Sequence, residues 1–204
     1  LTPALPGASQ TNSGTFHVNN SLTLTQTATS PSFTNRGTVA VANFVGWSVT
    51  GGTTPTVINT GAVTIGSGSS WSVTDGTLDL SAGTVSGAGT LAVSNAAVSF
   101  TNTTVTVIIN FTNVTTAPIT IAGGETLRVG GGSLDAPIDN QGLLLVAGTV
   151  AFNGALTTGA GSTLRVGGLP GHTVLTIANG FTNAGTLELT NTTAGYNAAL
   201  TVTA

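Results

Sequence analysis

The chain has 204 residues, of which only nine are charged: three arginines and six acidic residues, with no lysine. A formal net charge of −3 excludes nucleic-acid binding, which needs many cations against phosphate, and the absence of cysteine excludes disulfide frameworks, zinc fingers and thiol chemistry. No apolar run approaches the roughly 20 residues of a membrane-spanning helix, so no transmembrane segment is predicted. Abundant threonine, valine and glycine predict strands and turns throughout and no helix.

In chain order, the first predicted segment is an irregular lead-in or cap over residues 1–10, which contain Pro3 and Pro6. The pattern Gly-Thr-apolar-x-apolar then recurs, and its alternation predicts short strands with one buried face. The clearest copies occupy residues 37–41, 76–80, 89–93 and 185–189, and looser copies occupy residues 61–65, 125–129 and 162–166.

Two spacings coexist in this repeat. Apolar pairs recur about every seven residues, whereas copies of Asn-x-Gly recur at longer intervals. Asn12, Asn35 and Asn59 follow one another at nearly equal long steps, and Asn140 and Asn183 are separated by close to two such steps. Three short strands sum to one long step, which indicates a coil with three strands per turn. The Asn and Gly residues between strands are predicted to form its corners with positive φ.

The predicted fold is therefore all-β: one parallel β-helix (β-solenoid) domain over residues 1–204, with about nine turns of three short strands. Residues 42–57 and 167–173 interrupt the pattern and are predicted to be protruding loops. Residues 199–204 are predicted to form a strand rather than a polar cap. The competing fold is a β-sandwich, which is less favoured because its strands usually recur at wider intervals and need longer crossing loops.

The position between the two apolar residues of each strand is expected to face solvent. It holds four of the nine charges of the chain, namely Asp79, Arg128, Arg165 and Glu188. Arg165 and Glu188 are separated by one long step, as measured from Asn12 to Asn35. They are predicted to lie side by side on adjacent turns as an ion pair that marks the register.

Two phrases in the chain resemble repeats of large bacterial surface proteins. They are Phe33-Thr34-Asn35-Arg36-Gly37-Thr38-Val39 and Phe181-Thr182-Asn183-Ala184-Gly185-Thr186-Leu187. They are similar to the β-solenoid passengers of autotransporters and to filamentous-haemagglutinin-type adhesins. The resemblance implies a secreted or surface-displayed, right-handed β-helix that serves as a stalk, fibre or adhesin, and it transfers no functional residue.

Candidate catalytic groups are sparse. Some parallel β-helices cleave polysaccharides, which requires clustered carboxylates. The closest acidic pairs are Asp75 with Asp79 and Asp135 with Asp139, and both are interpreted as corner and surface residues. His17 and His172 lie far apart in sequence. No catalytic, cofactor-binding or metal-binding residue is predicted.

The best candidate for contact with a sugar is Trp47, which falls in the irregular segment 42–57. Surface glycans are thus a candidate partner. Five Asn-x-Ser/Thr sites, at Asn19, Asn102, Asn110, Asn113 and Asn191, could carry glycans in a suitable secretory host.

The sequence as a whole favours a non-catalytic, extracellular structural module. Its expected partners are other copies joined head to tail into a fibre, or flanking repeats of a longer chain. The alternative function is a carbohydrate-binding or polysaccharide-cleaving β-helix.

Overall fold

The fold was analysed in a computed structural model, which describes residues 9–25, 31–50, 55–80, 82–100, 103–112, 114–116, 118–191 and 194–203. The side chains of residues 47, 50, 115 and 116 lie outside this description. The described residues form 26 strands and no helix. The strands are β1 Ser9–Asn12, β2 Thr15–Val18, β3 Leu22–Thr25, β4 Ser32–Asn35, β5 Thr38–Val41, β6 Gly46–Thr50, β7 Thr56–Asn59, β8 Ala62–Ile65, β9 Ser70–Thr74, β10 Thr77–Leu80, β11 Thr84–Gly87, β12 Thr90–Ser94, β13 Ala97–Phe100, β14 Thr104–Thr112, β15 Thr115–Thr116, β16 Ile119–Ile121, β17 Thr126–Leu134, β18 Ile138–Asn140, β19 Leu143–Val146, β20 Thr149–Phe152, β21 Leu156–Thr158, β22 Thr163–Gly167, β23 Thr173–Ile177, β24 Phe181–Asn183, β25 Thr186–Thr190 and β26 Ala198–Val202.

These strands stack into a β-solenoid with three faces. The first face runs β1-β4-β7-β10-β13-β15 and continues as β16-β18-β21-β24, and the second runs β2-β5-β8-β11-β14-β17-β19-β22-β25. The third face runs β3-β6-β9-β12-β14-β17-β20-β23-β26, since the long strands β14 and β17 span the corner between the second and third faces. We call the strands of one circuit around the three faces a layer, and we number the layers from 1 (β1–β3) to 9 (β24–β26).

Every strand pair of the described chain is parallel, as for example β2 with β5 and β22 with β25. Nine layers joined by parallel ladders make about eight turns, close to the nine predicted. The solenoid prediction is confirmed, and the β-sandwich alternative is wrong because a sandwich of that type is built from antiparallel sheets.

The core is a set of apolar columns that run along the axis of the solenoid. One column continues through all nine layers of the second face by in-register pairing: Phe16, Val39, Val63, Val85, Val105, Leu127, Leu144, Leu164 and Leu187. Its seven inner members are at most 3 % exposed. Burying each such side chain contributes about 1.5–3 kcal/mol, so the core is stabilised by stacking like residues between layers.

The strand alternation agrees with the predicted outward position. In β10, Leu78 and Leu80 are fully buried, whereas Asp79 between them is half-buried. In β22, Leu164 and Val166 are buried around the half-buried Arg165. The outward side chains are only partly exposed because the next layers lie about 4.8 Å above and below them.

The corner prediction is wrong in one respect. The prediction is confirmed at other corners between strands, where Asn95 and glycines such as Gly83 and Gly148 have a positive φ. In the Asn-x-Gly corners, however, neither the Asn nor the Gly has a positive φ. Glycine is required there by close stacking instead, since a Cβ on Gly37 would lie 2.1 Å from the carbonyl oxygen of Gly14. The asparagines turn their side chains inward, as described below.

The three predicted irregular segments also need correction. The loop predicted over residues 42–57 is wrong for residues 46–50, which form β6, and for residues 56–57, which begin β7, while residues 51–54 lie outside the described residues. In the loop predicted over residues 167–173, only residues 168–172 lie outside strands. Of the predicted lead-in, residues 1–8 are not described and residues 9–10 belong to β1.

Candidate functional site: the open C-terminal layer

Three of the four aspartates in the acidic pairs accept hydrogen bonds from neighbouring polar side chains. Asp79 Oδ1 accepts a hydrogen bond from Ser99 Oγ at 3.0 Å, and Asp75 occupies a positive-φ corner. Asp135 Oδ1 accepts from Asn153 Nδ2 at 2.7 Å, and Asp139 Oδ1 accepts from Gln141 Nε2 at 2.6 Å. The described residues contain no group of three or more His, Asp or Glu side chains that could hold a metal ion.

The two histidines lie near opposite ends of the solenoid. His17 is exposed on β2 in layer 1, and its imidazole makes no hydrogen bond to another described residue. His172 lies just before β23 in layer 8, where it packs edge-on against Tyr196 at 5.3 Å and accepts a hydrogen bond from the Asn197 amide at Nδ1. The fold therefore does not bring them together.

The Trp47 backbone lies in β6, in register with Trp71 of the next layer and Leu22 of the previous one. Its side chain lies outside the described residues, so sugar contact stays a prediction. Trp71 is buried in the core, with 1 % of its surface exposed. The aromatic that the structure places on this surface is Phe44, 84 % exposed in the corner before β6, to which the sequence assigned no role.

A shallow groove of about 380 Å³ lies on the outer surface of the middle layers, beside Arg128, Leu169 and Pro170. Arg128 donates from Nη1 to the Thr106 carbonyl at 3.3 Å, whereas its Nε is buried without a hydrogen-bond partner. Burial lowers the pKa of the Arg128 guanidinium from its ordinary value. The groove thus places a cation against a largely apolar surface pocket.

The predicted corner asparagines form an internal hydrogen-bond ladder. Asn12 Nδ2 donates to Asn35 Oδ1, and Asn35 Nδ2 donates to Asn59 Oδ1, each at 2.8 Å. Each Nδ2 also donates to a backbone carbonyl of the next layer, three residues after that layer's asparagine. Asn12 donates in this way to Thr38 at 3.0 Å. Asn35 and Asn59 are each 1 % exposed, so the ladder satisfies polar groups that would otherwise be buried unpaired.

The second half of the chain repeats this arrangement with one substitution. Asn140 Nδ2 donates to the Thr163 carbonyl at 2.9 Å, just beyond the corner that follows β21. Thr158 takes the place of an asparagine there, since it pairs in register with both Asn140 and Asn183. Asn140 and Asn183 are therefore two layers apart, as their separation in the sequence predicted. The side-chain amides of Asn12, Asn35, Asn59 and Asn140 all donate to the next layer toward the C-terminal end.

The C-terminal layer is open. Its strands β24, β25 and β26 each pair with one neighbour within the described residues, which leaves one edge of each unpaired. The inward positions Leu187, Leu189 and Val202 are 36 %, 49 % and 49 % exposed, whereas the equivalent residues of inner layers are buried. β26 confirms the predicted C-terminal strand. Unpaired edges with exposed apolar residues favour addition of a further strand layer.

The N-terminal layer is the counterpart of this surface. Strands β1, β2 and β3 also pair on one side within the described residues. They surround an apolar cavity of about 430 Å³, whose lining includes Asn12, Phe16, Leu24 and Phe33. The strand edges of both end layers are therefore unpaired within the described residues. The apolar residues of the first layer are more covered than those of the last, since Val18 and Leu24 are each 2 % exposed whereas Phe16 is half-buried.

The predicted register pair is confirmed. Arg165 and Glu188 are in-register partners of β22 and β25, and Arg165 Nε lies 2.5 Å from Glu188 Oε2. Both side chains are 37 % exposed, so the ion pair contributes at most about 1 kcal/mol and is chiefly a marker of alignment. Glu188 Oε1 has no partner among the described residues.

Comparison with known proteins gives no match: no family model, no curated protein and no solved structure is similar to this chain. None of the described residues belongs to a helix that could span a membrane. The function must therefore be inferred from the geometry of the solenoid and its ends.

Proposed function

We propose that this chain is a structural module of an extracellular fibre, filament or surface adhesin, and that it self-associates end to end through its terminal layers. The observation that carries the proposal is the open C-terminal layer, where Leu187, Leu189 and Val202 are exposed beside three unpaired strand edges. An isolated soluble solenoid needs polar caps at such ends, because apolar residues and free strand edges promote association.

The mechanism would be mechanical. Parallel ladders run through all nine layers, and the apolar columns and the asparagine ladder lie inside them. Bending the rod would separate hydrogen-bonded layers on one face, so the arrangement favours stiffness along the axis. The sparse charge and the threonine-rich outer surface are in keeping with an extracellular location.

Electron microscopy of the purified chain over a range of concentrations tests this proposal. We expect unbranched filaments whose width matches one solenoid and whose length increases with concentration, because head-to-tail contacts that do not close produce open polymers. A chain that stays monomeric at high concentration would contradict the fibre role.

The carbohydrate alternative is favoured by the groove beside Arg128, where a guanidinium could pair with the carboxylate of an acidic sugar. Turnover of a polysaccharide that is abolished by Asp75→Ala or Asp79→Ala would replace the structural proposal with a catalytic one. Saturable binding of acidic oligosaccharides that is lost in Arg128→Ala would instead identify a binding module.

A further inference from the structure

We propose that the partner of the open C-terminal layer is the N-terminal layer of a second copy of this chain, seated in one register that places Asn183 on Asn12. This inference rests on the proposed end-to-end association and adds the identity of the two surfaces and their alignment. In this register β24 pairs with β1 of the second copy and β25 pairs with β2.

The first argument is strand direction. All strands within one face are parallel, so the C-terminal layer of one copy and the N-terminal layer of the next meet as parallel neighbours, in the same pattern as every layer inside the chain. Contact between two C-terminal layers would instead require antiparallel pairing, with different hydrogen-bond spacing and side-chain columns. Head-to-tail contact therefore continues the existing ladder.

The second argument is the asparagine ladder, which has a direction. Asn35 accepts at Oδ1 from Asn12 on its N-terminal side and donates from Nδ2 to Asn59 on its C-terminal side, and Asn59 in turn donates to the Thr84 carbonyl. At the C-terminal end, Asn183 Nδ2 donates within its own corner, to the Gly185 carbonyl. At the N-terminal end, Asn12 Oδ1 accepts within its own corner, from the Gly14 amide. Each group uses one position in its own corner, so one hydrogen of Asn183 Nδ2 and one lone pair of Asn12 Oδ1 remain for a bond between the two ends.

The third argument is the corner length. Asn12 and Asn183 each end a strand of the first face, and each is followed after three residues by the first residue of the next strand, Thr15 and Thr186. If Asn183 Nδ2 donates to Asn12 Oδ1 of the second copy, it can therefore also donate to the Thr15 carbonyl. This would repeat the two hydrogen bonds that Asn12 donates to Asn35 and Thr38.

The same register matches the second face residue by residue. Leu187 falls on the half-buried Phe16, which joins the two ends of the apolar column described above. On the outer side Glu188 falls on His17, so the carboxylate oxygen that Arg165 leaves free meets an exposed imidazole that can donate a hydrogen bond. Shifting the register by one residue would direct Leu187 outward and break all of these matches.

Disulfide trapping tests this register directly, since the chain contains no cysteine of its own. Thr15→Cys in one sample and Thr186→Cys in another place thiols on outward positions that the proposed register makes neighbours, about 4.8 Å apart. That separation is within the range of roughly 4.4–6.8 Å between Cα atoms that a disulfide spans. Thr190→Cys is the matched control, because it lies on the same face of β25, at the opposite end of the strand and about 13 Å further along it.

We expect the mixture of Thr15→Cys and Thr186→Cys to yield at least tenfold more disulfide-linked dimer than the mixture of Thr15→Cys and Thr190→Cys, and more than either variant alone. Equal yields, or a higher yield from Thr186→Cys alone, would overturn the proposed register. Filaments without the expected cross-link would leave the fibre proposal standing and refute the register. A monomer without any cross-link, as when further residues of a longer chain cover the end, would refute both.

A second measurement does not rely on cysteine. Asn183→Asp removes the donor and sets a carboxylate against Asn12 Oδ1, so we expect sedimentation to show at least a tenfold weaker association. Thr182→Ala changes the neighbouring outward residue of β24 and is expected to leave association unchanged. An equal effect of the two substitutions would overturn the role assigned to the ladder.

Discussion

Substitution of Asn35 by alanine tests whether the buried asparagine ladder stabilises the solenoid. The change removes the hydrogen bonds from Asn12 Nδ2 to Asn35 Oδ1 and from Asn35 Nδ2 to Asn59 Oδ1 and to the Ala62 carbonyl. Asn35 and Asn59 are each 1 % exposed, so water cannot replace the lost donor without opening the layers. Each buried polar group left unsatisfied costs about 1–3 kcal/mol, and we expect a total loss of about 3 kcal/mol in the free energy of unfolding.

Urea unfolding followed by tryptophan fluorescence measures this loss, because the buried Trp71 lies in the layer next to Asn35. Thr34→Ala is the matched control: it alters the adjacent outward residue of β4 and is expected to cost less than about 1 kcal/mol. Asn35→Asp keeps the acceptor but places a carboxylate against Asn59 Oδ1, so its loss should exceed that of Asn35→Ala. If Asn35→Ala unfolds at the same urea concentration as Thr34→Ala, the ladder does not stabilise the fold.

Two further substitutions test the stacking. Gly61→Ala should lower the free energy of unfolding by more than about 2 kcal/mol in the same assay, because its Cβ would lie 2.1 Å from the Gly37 carbonyl oxygen. Its control is Gly14→Ala, whose Cβ meets nothing within 4 Å and which should change that free energy by less than about 1 kcal/mol. Equal losses in the two variants would argue against close packing at the corners. Arg165→Ala should lower the free energy of unfolding by no more than about 1 kcal/mol, because the ion pair with Glu188 is partly exposed. Added salt should reduce the difference in unfolding free energy between this variant and the unsubstituted chain, because salt screens the pair. A large loss that salt does not change would mean that Arg165 acts through packing instead.

The number of residues from one layer to the next varies along the chain, and this variation was not evident from the sequence. The step from Asn12 to Asn35 describes the first layers, and the step from Arg165 to Glu188 near the C-terminal end has the same length. The middle layers are shorter, since Thr126 pairs with Leu143, and the last step of the third face is longer, since Thr173 pairs with Ala198. A ladder constrains only the paired strands, so the corners between them can gain or lose residues without disturbing the core.

The inward role of the asparagines was not apparent from their sequence pattern. Asn-x-Gly is typical of turns with positive φ, and the prediction followed that association. In the structure Asn35 is the last residue of β4 and lies on its inward face, where Asn12, Asn59 and the Ala62 carbonyl of the neighbouring layers satisfy its amide. The available signal was the recurrence of asparagine at one-layer intervals, since an identical polar residue in successive layers permits a side-chain ladder.

The sequence by itself determined the strand alternation, the parallel coil, the approximate number of turns and the pairing of Arg165 with Glu188, because a short period within strands and a long period between turns are both properties of the linear chain. Only the tertiary structure decided that Leu187 and Leu189 lie in an uncovered layer. Their local pattern is the same as that of the buried Leu164 and Val166, and the difference arises from the absence of another layer above them among the described residues. Burial depends on neighbours along the solenoid axis, which no single repeat specifies.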